Sequence, residues 1–223
     1  MIIQTRRILM SESFNRSQSL GLVITTGMVA GVCCYFAAES LTPSNVSNPG
    51  DHDILLATRL GFIYAPAVAL WLAWLQRSIR RAAAAVAVGM LVGGIYMWLC
   101  TSRNFLAIMV GFPALLGGFL SLSLGSSRSR PFADLPARLA KGLLAGFVLG
   151  FVYMFALNIT FSMLAPMNDF INNPTPAYVK TMWRAGPVAL GLASGFFFPL
   201  IRWAVGLTRV RLVVFEEVES RAA

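Results

Sequence analysis

The chain has 223 residues, of which 57% are hydrophobic and only 12% charged, with a mean hydropathy of +0.70. A soluble globular domain carries about 25% charged residues, so the composition argues against an ordinary soluble fold and places the chain in the membrane class. The net charge of +9 does not point to nucleic acid, because the lysines and arginines stand in small groups between apolar runs rather than in a tract.

A spanning helix needs about 20 mainly apolar residues, since each rises about 1.5 Å across a hydrocarbon core about 30 Å thick. Six stretches meet this length: residues 20–38, 55–75, 82–100, 105–124, 142–164 and 185–205. The sequence therefore predicts an all-α integral membrane protein with six transmembrane helices over residues 20–205. A cytoplasmic segment, 1–19, precedes this domain and a cytoplasmic tail, 206–223, follows it. The first apolar run exceeds the h-region of a signal peptide, about 7–15 residues, and reads as a retained span. Met1 and Met10 both serve as candidate starts.

Orientation follows from the basic residues. With the N-terminus inside, only Arg59, Arg103, Lys180 and Arg184 fall outside or at the outer boundary, and the other lysines and arginines all fall inside. The positive-inside rule then puts both termini in the cytoplasm. Compact loops suit a bacterial inner membrane.

The outward-running spans repeat one phrase. Gly27 and Gly31, Gly89 and Gly93, and Gly146 and Gly150 each form G-x-x-x-G, followed by aromatic residues around Tyr35, Tyr96 and Tyr153. Residues four apart share a helix face, and paired glycines there let a neighbouring helix approach closely within lipid. The returning spans share proline: PAVAL from Pro66, PALLG from Pro113 and PVALG from Pro187. The six spans thus read as three related hairpins, each presenting its glycine face inward. Pro174 and Pro176 are expected to keep residues 166–180 in a loop, with Pro187 near the first turn of the last helix.

Chemistry-bearing residues are sparse. Arg59, Arg103 and Arg184 occur once per hairpin, near the outer start of each returning span, and their guanidinium groups suit an anion or a lipid headgroup. Asn158 and Thr160 lie in the fifth span and would bond across helices or line a polar cavity. The sole histidine, His52, sits between Asp51 and Asp53 in what reads as a solvated outer loop. Three consecutive residues do not converge readily on one ion, so no metal site is expected. Ser194 is flanked by small residues but has no histidine within the spans to activate it, and reads as a packing residue. Cys33, Cys34 and Cys100 read as small hydrophobes.

The sequence predicts no enzyme and no cofactor. It leaves two functional classes. The first is a non-catalytic accessory, assembly or anchoring component with a membrane-protein partner or a second copy of itself. The second is a small transporter or channel for an anionic solute.

Overall fold

The computed structural model describes residues 2–75, 79–101, 110–124, 134–164 and 174–206. Over these residues the regular elements are all helices: α1 (Ile2–Leu41), α2 (Pro49–Leu75), α3 (Ile79–Thr101), α4 (Phe112–Leu124), α5 (Leu135–Leu164) and α6 (Pro174–Ala204). Four of them contain stretches long and apolar enough to cross a membrane: Leu20–Leu41, Gly50–Leu72, Leu135–Leu164 and Val179–Ala204. The apolar parts described for the other two are shorter, Val86–Tyr96 and Phe112–Ser123.

The starts of α2 and α6 differ from expectation, each for a local reason. α2 begins at Pro49, so Asp51, His52 and Asp53 lie in its first turns and not in a loop. Asn48 caps it. The Asn48 carbonyl accepts from the backbone N–H groups of Asp51 at 3.1 Å and His52 at 3.2 Å, and its Oδ1 accepts from Gly50 N–H at 3.2 Å. Asparagine at the cap, proline at the first position and an acid in the first turn all favour a helix start.

α6 begins at Pro174, well before residue 185. The first four N–H groups of a helix have no acceptor within it, so prolines at 174 and 176 forfeit no bond. Pro187 then lies deep inside the helix, where it leaves the Trp183 carbonyl without its usual N–H. One residue earlier, the Met182 carbonyl accepts from the Tyr35 hydroxyl of α1 at 2.9 Å. α6 stops where Gly206 adopts a φ of 82° and its N–H bonds the Trp203 carbonyl at 3.0 Å.

The helices close into a ring in chain order, with α6 returning against α1. Facing residues fix three of the contacts as antiparallel. Gly89 and Gly93 of α3 meet Pro66 and Phe62 of α2, Gly142 and Gly146 of α5 meet Gly117 and Pro113 of α4, and Gly27 and Gly31 of α1 meet Phe198 and Leu190 of α6. α2, α4 and α6 also touch one another across the middle, while α1, α3 and α5 are each wedged between two of those three. Both ends of the molecule can be named from this: a proximal end, where α6 stops, and a distal end, where α1 turns into α2.

Val68 and Leu72 of α2, Leu116 and Leu120 of α4, and Phe197 and Ile201 of α6 are all essentially inaccessible and belong to one apolar core. Aromatic contacts bind neighbours: Trp71 with Phe198 at 4.4 Å between centroids, and Tyr96 with Phe112 at 3.9 Å. Large apolar side chains cover the outside too, among them Met90, Trp98, Phe151, Phe155, Met163 and Phe196. So broad an apolar exterior is foreign to a soluble monomer and ordinary in hydrocarbon.

Candidate functional site

Five of the six glycines singled out in the sequence lie against a neighbouring helix. A Cβ added at Gly27 would sit 2.8 Å from the Ser194 carbonyl oxygen, and one at Gly31 would sit 2.7 Å from that of Leu190. At Gly89 it would sit 3.1–3.2 Å from backbone atoms of Ala65 and Pro66, and at Gly93 3.2 Å from the Phe62 ring. At Gly146 it would collide with the Pro113 carbonyl and reach the Ala114 backbone at 2.7 Å. Gly150 is buried in α5. In two of the three seams the glycine face meets the proline of the preceding helix directly. In the third, Gly27 and Gly31 sit beyond Pro187, and the Tyr35 ring fills the space beside Gly186.

The tyrosines that follow these glycines point into the structure. Tyr35 and Tyr96 are buried, the first against α6 and the second between Gly61 of α2 and Phe112 of α4. Tyr153 of α5 comes within electrostatic reach of Asp53 of α2.

The proposed anion ligands take different environments. Arg59 is half-buried in α2, and its Nη1 is sealed from solvent with no hydrogen-bond partner. Arg184 is exposed, on the same outward stripe of α6 as Val188, Leu192 and Phe196. Arg103 lies outside the described residues. Asn158 is exposed and donates back to the Met154 carbonyl of its own helix at 3.0 Å. Thr160 donates in the same way to the Ala156 carbonyl. Both therefore bond back onto α5 itself.

Two polar groups that the sequence reading set aside are buried. Ser194 of α6 is fully enclosed, and its Oγ shares a 2.8 Å hydrogen bond with the Tyr64 hydroxyl of α2. His52 is 2% exposed, which corrects the expectation of a solvated loop. Its Nε2 lies 3.8 Å from Glu39 Oε1 at the end of α1, and its Nδ1 lies 3.9 Å from Asp53 Oδ1. The site at the distal end is thus an imidazole flanked by two carboxylates. The sequence signal for it was Asn48-Pro49 followed by Asp51, a helix start that carries His52 onto the face of α2 beside α1.

Among the described residues, no group of three or more histidine, cysteine or acidic side chains could hold a metal ion. Comparison of the chain with protein-family models, curated proteins and solved structures returned no match.

Proposed function

We propose that the chain is a six-span membrane protein built from three related hairpins, with both termini cytoplasmic in a bacterial inner membrane. In this reading it serves as a non-catalytic accessory, assembly or anchoring component. The observation that carries it is the apolar interior: Val68, Leu72, Leu116, Leu120, Phe197 and Ile201 of α2, α4 and α6 are essentially inaccessible members of one core. Asn158 and Thr160, the residues expected to line a polar path, bond their own helix instead. An apolar exterior and a closely packed interior suit a protein that works through its surface, against lipid and a partner.

Purification from native membranes in a mild detergent tests this. A specific protein retained at fixed stoichiometry is the expected result. Arrival of the chain alone, together with solute flux in liposomes, overturns it in favour of the second reading, a small anion transporter or channel. That second reading draws on one observation, the sealed and unpartnered Nη1 of Arg59. An anion beside α2 would satisfy it, and Arg59→Gln would abolish such flux.

A further inference from the structure

Buried polar groups are normally hydrogen-bonded, and an exception calls for an explanation. His52 is such an exception. Its imidazole is almost wholly enclosed, yet its Nδ1 has no hydrogen-bond partner, and neither has the sealed Oε2 of Glu39 beside it. Each ring nitrogen nevertheless faces a carboxylate oxygen of its own, Nε2 towards Glu39 at 3.8 Å and Nδ1 towards Asp53 at 3.9 Å. Both separations exceed hydrogen-bond range by less than about 1 Å.

A neutral imidazole has one N–H and can satisfy one of these carboxylates only, whereas an imidazolium has two and satisfies both. The charge balance runs the same way. A neutral ring would leave two carboxylates facing each other across it in a poorly solvated space, and an imidazolium places a positive charge between them. We propose that Glu39, His52 and Asp53 form a proton-binding site that clasps the end of α1 to the start of α2. One proton from water enters on the imidazole, the two N–H groups close onto Glu39 and Asp53, and its return to water opens the clasp.

Asp53 is the most open of the three, its side chain 32% exposed against 3% and 14% for His52 and Glu39, although the Oδ1 that faces the ring is itself sealed from solvent. The ionisable groups around the ring among the described residues are Glu39 from α1 and Asp51 and Asp53 from α2 itself. Tyr153 from α5 is coupled to Asp53, and Arg59 lies two turns along α2. Asp51 and Asp53 have further interactions of their own. The proton held here bears on the contact between α1 and α2, the seam that carries the 42–48 connection.

Because the chain has one histidine, nitrogen-15 histidine labelling of the full chain in lipid nanodiscs reads this site without assignment. The expected spectrum of the protonated state, in mildly acidic buffer, shows both ring nitrogens protonated and slow to exchange with water. Glu39→Gln and Asp53→Asn each move the loss of that two-proton form to lower pH. Thermal unfolding adds a second readout. The clasp stabilises only while the proton is held, so the wild type is expected to unfold at a higher temperature in acid than in alkali, and His52→Gln removes that difference. A ring signal in rapid exchange with water overturns the proposal, as does one common protonation midpoint for wild type, Glu39→Gln and Asp53→Asn. Should His52→Gln fail to insert, the labelled wild type and the two carboxylate variants decide the matter alone.

Discussion

Tyr64 and Ser194 show how a residue's role changes once its neighbours are known. In the sequence, Ser194 is a small residue among small residues. In the structure its hydroxyl is the inner partner of Tyr64, at 2.8 Å between α2 and α6. Polar contacts between membrane helices contribute about 0.6 kcal/mol on average and at most about 2 kcal/mol. Tyr64→Phe is therefore expected to destabilise the bundle by roughly 1 kcal/mol. Ser194→Ala should cost a similar amount, and the two together little more than either alone. A double-mutant cycle on unfolding in detergent checks this, and strictly additive costs would mean the bond contributes nothing. His52 makes the same point for an ionisable group. Its pattern between two aspartates looked solvent-facing, and only the cap at Asn48 and the arrival of Glu39 from α1 enclose it.

At the scale of the element, the glycines and prolines were legible and their pairing was not. Spacing of four marks one face of a helix, so Gly89 with Gly93 and Gly146 with Gly150 announced faces meant for close approach. What they approach is a tertiary fact: Ala65 and Pro66 for Gly89, Phe62 for Gly93, Pro113 and Ala114 for Gly146. The same seam uses Gly117 and Ser121 of α4, which continue the fourfold spacing from Pro113 and close on Gly142. Gly146→Ala would force α4 and α5 apart and is expected to lower stability by about 1–3 kcal/mol, the usual cost of overpacking. Gly94→Ala is the contrasting case. A Cβ there meets nothing within 4 Å, so the change should be neutral or stabilising by about 0.5–1 kcal/mol, since alanine favours the helix over glycine. Unfolding midpoints of the two variants in one detergent test the contrast. Equal effects would mean that the seam at Gly146 is not close-packed in the membrane.

For the whole molecule, a ring closed by α6 against α1, with α2, α4 and α6 meeting in the middle, makes a topological prediction. If all six helices cross, Asn48 lies on one side of the membrane and Ser126 on the other, and the positive-inside rule puts Ser126 in the cytoplasm. In a background with Cys33, Cys34 and Cys100 replaced by serine or alanine, Asn48→Cys should react with an impermeant maleimide added to intact cells. Ser126→Cys should react only after lysis. Labelling of both from the same side would exclude the six-span arrangement.

Composition and apolar run length alone determined that this is a helical membrane protein, because continuous apolar runs of about 20 residues suit a helix that satisfies its own N–H and C=O groups in lipid, whereas barrel strands are shorter and alternate. They also marked the glycine and proline positions, since these residues act through the local backbone. Tertiary structure decided which helix each glycine face meets, and that Asn158 and Thr160 turn back on α5. It also decided that His52 is enclosed between Glu39 and Asp53. The reason is one of range. Hydropathy and backbone propensity are carried by neighbours in the chain, whereas burial of a polar side chain depends on residues that only closure of the ring brings beside it.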